Sequence, residues 1–276
     1  MAMCVREVLA TPELVVSTSD HGAGPPPLAP VEEACDHYSV NFVESGEFGL
    51  AVEERFWRLR AGHAFAWHPK TVHRYSHFVD APGDTCLTIR FRGVLERELE
   101  RGGHLADAAK SPVLPRAARI WFLRYRLGRL LEAGDVLALG AWAADLIRAA
   151  TSGSSRDGYV PSARHAPAVE EARRRLVDEF AEPHSLSSLA SWARMSPFHF
   201  ARVFHAMVGM PPHRFLREQR LRRALEMLRD GEPVTTTCYA VGFGNLSHFI
   251  HSFRDRFGFL PSRARKNPQA HDRLRL

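Results

Sequence analysis

The sequence predicts a multi-domain α+β protein, in which a β-rich N-terminal domain with two following helices precedes an all-α C-terminal domain. Three observations support this prediction. Short runs within residues 37–91 alternate aromatic and β-branched residues with polar ones, which is typical of strands. Helical periodicity begins at about Arg119. A stretch rich in Ser, Gly and Pro at residues 151–167 then precedes a final region with helical patterns throughout.

The predicted strands are short and are separated by turn sequences such as ESGE, RAGH and DAPGD. Several short strands at this spacing favour an antiparallel β-barrel or sandwich. We expect Ser19–Pro30 to be a loop, because its glycines and prolines break both helix and strand. The strand-like runs are YSVNFV, FGLAVEE, RFWRLR, HAFAWH and CLTIRF.

Two amphipathic helices are predicted after the strands. Leu123 and Leu127 share one helical face, and so do Leu139, Trp142 and Leu146. These helices either complete the core of the β-rich domain or form the seam of a homodimer, and both interpretations fit the pattern.

The domain boundaries follow from these patterns, with an N-terminal domain at 1–150, a linker at 151–167 and a C-terminal domain at 168–276. The charge is uneven along the chain. Residues 166–276 hold 18 Lys and Arg against 11 Asp and Glu, whereas the rest of the chain holds 19 against 20. A basic module beside a neutral one indicates a polyanionic partner, although a solvated basic surface would give the same count.

The composition, 45% hydrophobic and 25% charged, is that of an ordinary soluble protein. The sequence has no run of the roughly 20 apolar residues that a membrane span requires. Its first residues lack the pattern of a signal peptide, so we expect a cytoplasmic protein without membrane contact. The four cysteines lack C-x-x-C spacing and are expected to be reduced, with a thiol sensor as the alternative.

The C-terminal region opens with a pattern of two short helices. Ser185 can cap the first helix, and Ser196 can cap the second, where Pro197 takes the first helical position. Two short helices joined by a tight turn, the second with exposed polar positions, predict a helix-turn-helix. Such a pair also occurs in other helical bundles, so alone it is a weak indication of function.

An internal repeat strengthens this prediction, because SPFHFARVFHAMVGMPPHRF is matched by NLSHFIHSFRDRFGFLPSRA. The helix between the two units has about 19 residues and spans roughly 28 Å, close to the ~34 Å between successive major grooves on one face of DNA. Arginines on and around this connecting helix are expected to contact DNA phosphates. They are Arg214, Arg217, Arg220, Arg222, Arg223 and Arg254.

Residues Ser185–Arg265 resemble the DNA-binding domain of the AraC/XylS family of transcription regulators. The second unit of that family closes with the phrase G-F-x-x-x-S-x-F-x-x-x-F-x-x-x-x-G-x-x-P. The stretch LRAGHAFAWHPKTVHRY is in turn similar to the cupin-like effector domain of such regulators. The matching residues of the closing phrase are Gly242, Phe243, Ser247, Phe249, Phe253, Gly258 and Pro261.

This resemblance implies which residues face the DNA bases. In the first recognition helix they are Phe198, Ala201 and Arg202, and Arg202 is expected to contact a guanine. In the second helix they are Leu246, Ser247, Ile250 and His251.

The second unit departs from the family pattern at Thr236, Thr237 and Cys238, where an acidic residue, Ile and Ala are usual. Thr237 falls at a position that should be buried and aliphatic, and successive threonines are poor helix formers. His251 stands where a longer basic side chain is common. We therefore expect a softer second unit, with the first unit dominating sequence specificity.

The N-terminal domain has three functional interpretations. The preferred one is a sensor, whose barrel holds a small organic effector among aromatic side chains. The second is a domain that only dimerises, in a regulator that needs no ligand. The third is a cupin metalloenzyme fused to a DNA-binding domain. The effector pocket of the preferred interpretation is formed by Phe42, Phe56, Phe65, Trp67, His68, His73 and Tyr75.

The sequence motifs do not favour the metalloenzyme interpretation. There is no H-x-H pair of the kind that metal cupins use, and His68 and His73 would meet only across a hairpin. The motifs G-x-S-x-G and H-E-x-x-H are also absent. We expect no catalytic residue, metal or cofactor. The expected partners are double-stranded DNA, a small-molecule effector, a second copy of the chain and, for an activator, RNA polymerase. The candidate metal ligands considered are His37, His63, His68, His73 and His77.

Overall fold

The chain forms two compact units in the computed structural model, one within residues 1–160 and the other within 161–276. Most of the predicted linker, residues 152–160, lies outside the described residues. None of the described helices combines the length and apolarity needed to cross a membrane. The structure describes residues 3–22, 32–78, 83–102, 111–114, 118–151 and 161–266.

The described part of the N-terminal unit contains two antiparallel sheets. The five-stranded sheet has the order β1-β2-β9-β4-β7, and the four-stranded sheet has the order β3-β8-β5-β6. The strands are β1 (Met3–Ala10), β2 (Leu14–His21), β3 (Glu32–Ala34), β4 (Ser39–Ser45), β5 (Glu47–Val52), β6 (Arg55–Arg60), β7 (Ala64–Trp67), β8 (Val72–Ser76) and β9 (Asp84–Phe91).

Side chains of both sheets fill the space between them. Val43 and Phe65 of the five-stranded sheet share one apolar cluster with Phe48, Leu50 and Leu59 of the other. Because successive side chains of a strand point to opposite faces, the alternate residues of β4 lie on the other side of the five-stranded sheet.

The outer face of the five-stranded sheet is covered by helices α1 (Gly93–Gly102), α2 (Ala118–Ala133) and α3 (Leu137–Thr151). Phe42, Leu127 and Trp142 belong to the apolar cluster formed there. The indole of Trp142 donates a hydrogen bond to the carbonyl of Leu123 at 2.8 Å, which ties α3 to α2. The two predicted helices therefore complete the core of the β-rich unit.

Several features of this unit differ from the sequence prediction. Strands β1, β2, β3 and β8 and helix α1 were not expected, and Ser19–His21 extends β2 where a loop was predicted. Strands β7 and β8 belong to different sheets, so the turn between His68 and His73 crosses from one sheet to the other and is not a hairpin. The signal for β2 was the β-branched run in LVVSTSDH.

The C-terminal unit is helical. Helix α4 begins at Ala166, two residues before the predicted domain boundary, and follows a short 3₁₀ helix at Ala163–His165. The remaining helices are α5 (Leu186–Trp192), α6 (Pro197–Val208), α7 (Pro212–Asp230), α8 (Val234–Ala240) and α9 (Leu246–Phe257), followed by a 3₁₀ helix at Pro261–Lys266.

Helix α7 buries different faces in its two halves. Phe215 and Leu216 are buried in the first half, where the ring of Phe215 meets Phe204 of α6 edge-on at 5.9 Å. Leu221 and Leu225 are buried in the second half, within a cluster that includes residues of α8 and α9. At about 100° per residue these two faces lie roughly half a turn apart around the helix. One helix thus supports two helix pairs, α5–α6 and α8–α9.

Candidate nucleic-acid interface

Helix α6 presents one polar face outward. Its inner face is formed by Phe200, Val203 and Phe204, which are fully buried. Phe198 is 79% exposed, and Arg202 is also exposed, while Ala201 is half-buried beside them. The three residues predicted to face bases therefore lie on the outward part of one helix, within reach of a molecule that docks along it.

Local capping fixes where α5 and α6 begin. The side-chain oxygen of Ser185 accepts a hydrogen bond from the backbone N–H of Ser188 at 3.0 Å. Ser196 accepts one from the N–H of His199 at 3.3 Å. Such caps satisfy helix-terminal N–H groups that otherwise lack partners. They hold α6 in a defined position relative to α5.

Helix α9 repeats this arrangement with a smaller outward face. Asn245 caps it by accepting from the N–H of His248 at 2.9 Å. Ser247 and His251 are exposed, whereas Leu246 and Ile250 are half-buried and pack against the core of this half. The structure therefore presents two of the four predicted base-facing side chains openly and leaves the other two only partly accessible.

The His251 side chain is engaged within its own helix. Its Nε2 lies 3.1 Å from the carboxylate of Asp255. Its Nδ1 lies 3.3 Å from a guanidinium nitrogen of Arg254. The predicted base-facing histidine and the predicted phosphate-binding arginine thus contact each other.

Helix α8 forms despite its three threonines. Thr237 and Cys238 are fully buried, whereas Thr236 is exposed. The hydroxyl of Thr237 has no hydrogen-bond partner among the described residues. A buried hydroxyl without a partner destabilises the fold, because it loses its hydrogen bonds to water.

The predicted phosphate-binding arginines do not form a single class. Arg214, Arg217 and Arg222 are exposed, and within the described part of the chain none of them has a carboxylate within ion-pair distance. Arg223 is exposed and lies 2.8 Å from the carboxylate of Glu226 on the same helix. These four remain available at the surface of α7.

The Arg220 side chain, in contrast, makes hydrogen bonds within the protein. Its Nε donates to the carbonyl of Phe180 at 2.7 Å and its Nη2 to the carbonyl of Glu182 at 2.9 Å. Burial lowers the pKa of this guanidinium. Gly242 packs at the same place, where a Cβ would lie 2.4 Å from the carbonyl oxygen of Ala181. The guanidinium of Arg220 therefore joins α7 to the segment after α4, which leaves it poorly placed for a phosphate.

The predicted effector-pocket residues are dispersed in the N-terminal unit. Phe42 lies under the helices, where its ring meets Trp121 edge-on at 5.5 Å. Phe65 and Trp67 pack in the core between the sheets, and the indole of Trp67 donates to the Tyr75 hydroxyl at 3.2 Å. These four side chains fill cores, and Phe56 is 58% exposed at the surface. The structure does not bring the set around one cavity.

Two of the predicted residues, His68 and His73, line a groove of about 440 Å³ at the edge of the four-stranded sheet. Its lining combines apolar side chains with cationic and anionic groups. Two of these residues, Glu53 and Lys70, have left-handed backbones with φ of 52° and 71°. Residues without glycine's freedom adopt this conformation at a cost. The charged lining groups are Glu32, Glu53, Lys70 and Arg74, besides the two histidines.

Sequence reasoning missed a buried group of two histidines and one carboxylate. Asp84 is 1% exposed, and its two oxygens lie 3.1 Å from Nδ1 of His21 and 3.2 Å from Nδ1 of His77. The hydrogen bond to Asp84 raises the pKa of His21, whereas burial lowers the pKa of His77. His21 lies in the stretch Ser19–Pro30, which was predicted to be a loop. In the structure it is the partner of Asp84 in the β2–β9 ladder.

No three His, Cys, Asp or Glu side chains of the described residues are placed to hold a metal ion. The four cysteines are unpaired with one another, and only Cys4 is exposed. Burial raises the pKa of the Cys35 and Cys86 thiols, which disfavours the reactive thiolate.

Comparison with known proteins bears on the two helix pairs. A family model described as a helix-turn-helix domain matches residues 189–267. Helices α6 to α9 and the closing phrase from Gly242 to Pro261 lie within this range, and α5 begins three residues before it. Residues 189–267 form a helix-turn-helix domain.

Curated relatives are similar to part of this chain. Ada of Escherichia coli (strain K12), a bifunctional transcriptional activator and DNA repair enzyme, is 27% identical over 188 residues, which are 63% of this chain and 48% of Ada. The HTH-type transcriptional activator RhaS of Enterobacter sp. (strain 638) is 34% identical over 96 residues, 34% of either chain. The chain thus spans a third to a half of the length of these relatives.

Among solved structures, a probable AraC family transcriptional regulator from Rhodopseudomonas palustris is similar to this chain. It is 27% identical, and the similarity covers 37% of this chain and 96% of that one, with a TM-score of 0.35.

Proposed function

We propose that this protein is a sequence-specific DNA-binding transcription regulator, and that α6 enters the major groove. The outward face of α6 is the observation that supports this most directly, because it carries an exposed Phe198 and Arg202 on a helix fixed by caps at both members of the pair. An arginine can donate two hydrogen bonds to a guanine, and an aromatic ring can contact a thymine methyl.

The second helix pair is proposed to be a second helix-turn-helix unit with a weaker contribution to specificity. Its α9 exposes Ser247 and His251, but His251 is already engaged by Asp255 and Arg254. Exposed arginines of α7 between the two pairs, such as Arg217 and Arg222, would add contacts to phosphates.

The N-terminal unit is proposed to bind a small effector. Because the space between the sheets is filled by side chains, the groove beside His68 and His73 is the better candidate site. A change in DNA affinity on adding the effector would then reflect a shift between conformations of the protein that exist without it. A homodimer and a contact with RNA polymerase remain predictions.

Selection of binding sites from a pool of random DNA duplexes tests the proposed function. The purified full chain should enrich one shared sequence, which it binds about a thousandfold or more tightly than random duplex. The matched control is Arg174→Gln, since Arg174 is exposed on α4 and paired with Glu171 and Asp178, and this variant should enrich the same sequence. A pool that stays random after several rounds would contradict the proposal.

A further inference from the structure

Two arginines outside the predicted DNA-contacting set lie close to the start of α6. Arg164 is in the short 3₁₀ helix before α4, and Arg194 is in the turn between α5 and α6. Both side chains are exposed. They reach the start of α6 from different segments of the chain, since Arg164 lies near the end of the predicted linker and Arg194 lies within the helix pair itself.

Arg164 is connected to α6 through two histidines. Its Nε lies 3.4 Å from Nε2 of His165, whose ring meets that of His199 edge-on at 5.4 Å. Burial and the neighbouring Arg164 lower the pKa of His165, so its neutral ring accepts this hydrogen bond. Pro161 at the start of the segment is buried. The segment before α4 is therefore attached beside the first turn of α6.

Arg194 occupies an unusual backbone conformation, with φ of 53°. For a residue with a Cβ, the left-handed region is sterically unfavourable. Two backbone hydrogen bonds hold the turn. The N–H of Arg194 donates to the carbonyl of Ser191 at 3.0 Å, and the N–H of Met195 donates to the carbonyl of Ala190 at 2.9 Å. Glycine would fit this position with less strain, so a long cation here indicates a use for its side chain.

Neither arginine is neutralised by a carboxylate among the described residues. The acidic residues nearest to Arg164 in sequence, Glu170 and Glu171 on α4, are already paired with Arg173, Arg174 and Arg175 at 2.7 to 3.0 Å. Exposed cations without a counter-charge gain most from a polyanion, because binding releases the counterions of its phosphates.

We propose that Arg164 and Arg194 bind backbone phosphates of the DNA on either side of the groove that α6 enters. This inference rests on the proposed function. Phosphate contacts of this kind fix the register and orientation of a protein on DNA without selecting its sequence. Arg164 and Arg194 would thus position α6, while Arg202 contacts a base.

The salt dependence of DNA affinity tests this proposal. The full chain is titrated onto a random-sequence duplex and onto the selected duplex between about 50 and about 200 mM salt. Arg164→Gln and Arg194→Asn should each lower the slope of log affinity against log salt by about 0.9 on both duplexes, and the double variant by about twice that. Asn is chosen at position 194 because it tolerates the left-handed conformation.

Two controls separate charge from structure. Arg164→Lys and Arg194→Lys keep the positive charge and should keep the wild-type slope, and Arg174→Gln removes an arginine that is already paired. Slopes of Arg164→Gln and Arg194→Asn equal to those of wild type and Arg174→Gln would overturn this inference and leave the proposed function intact. A wild-type chain without salt-dependent binding to either duplex would overturn the proposed function itself.

Discussion

Thr237 carries a polar hydroxyl into the otherwise apolar core of the second helix pair. The sequence pattern predicts a buried aliphatic side chain at this position, and the structure buries Thr237 completely within the core of the second helix pair. Its hydroxyl lacks a hydrogen-bond partner among the described residues. Burial could be predicted from the resemblance to the family, but the missing partner could not, because it depends on which groups of neighbouring helices approach.

Replacing Thr237 by valine should stabilise the protein. Valine has nearly the same shape and removes the unpaired hydroxyl, so the free energy of unfolding should rise by about 1–3 kcal/mol. The measurement is urea unfolding followed by the helical circular dichroism signal. Thr236→Val is the matched control, since Thr236 is exposed and its replacement should change stability by less than about 0.5 kcal/mol. Equal effects of the two variants would count against the account.

His21 and His77 contact the same buried carboxylate, but their pKa values shift in opposite directions, because the hydrogen bond to Asp84 dominates at His21 and burial dominates at His77. The raised pKa of His21 means that the folded state binds its proton more tightly, so His21 stabilises the fold below its unfolded pKa of 6.5 and loses this effect as the pH rises through the folded value. The lowered pKa of His77 has the reverse sign, because its protonation in acid favours unfolding.

The two histidine variants should therefore differ in pH dependence. Relative to wild type, His21→Gln should lose stability as the pH falls towards about 6.5, and His77→Gln should gain stability as the pH falls below about 6.5. Urea unfolding across pH, followed by tryptophan fluorescence, gives the comparison, because four of the five tryptophans lie in the N-terminal unit. Parallel curves for both variants and wild type would show that folding does not shift the pKa values of these rings.

At the scale of elements, α7 determines how the C-terminal unit is built. Its two halves bury opposite faces, so each half supports one helix pair. Arg220 lies between these halves and is held by the carbonyls of Phe180 and Glu182. From the sequence alone Arg220 is indistinguishable from its exposed neighbours, because the carbonyls that bind it lie about 40 residues away in the chain.

Arg220→Gln should reduce stability and not DNA affinity. Losing two hydrogen bonds from a charged group should lower the free energy of unfolding by about 1.5–3 kcal/mol. Arg222→Gln is the matched control on the same helix, exposed and without a carboxylate partner in the described part of the chain. It should leave stability nearly unchanged and lower the salt slope of DNA binding by about 0.9. A loss of stability in Arg222→Gln together with a reduced salt slope in Arg220→Gln would contradict these roles.

The elements that could be predicted are those with strong local signals. Caps at Ser185 and Ser196 and the repeated Gly and Pro positions locate α5, α6 and α9 within a few residues. Strand β1 was missed because it is largely exposed, so its pattern lacks the alternation of a half-buried strand. The register that places His21 against Asp84 joins strands distant in sequence and has no local signal.

At the scale of the whole molecule, the chain consists of two units with different architecture. The helix-turn-helix domain was predictable, because its repeat and its closing phrase have fixed spacing. The lining of a cavity was not predictable in this way, since an aromatic residue that fills a core and one that lines a cavity look alike in sequence. Phe42 and Phe65 are examples, because both are buried in cores.

The central claim is that α6 determines the DNA sequence bound, while α9 contributes mainly to affinity. Affinity of Arg202→Ala and His251→Ala for the selected duplex, and for duplexes with each base pair changed, tests this directly. Arg202→Ala should weaken binding by about 1–3 kcal/mol and relax the preference at one base pair, and His251→Ala should have a smaller effect. A larger loss of affinity at His251 than at Arg202 would contradict the claim.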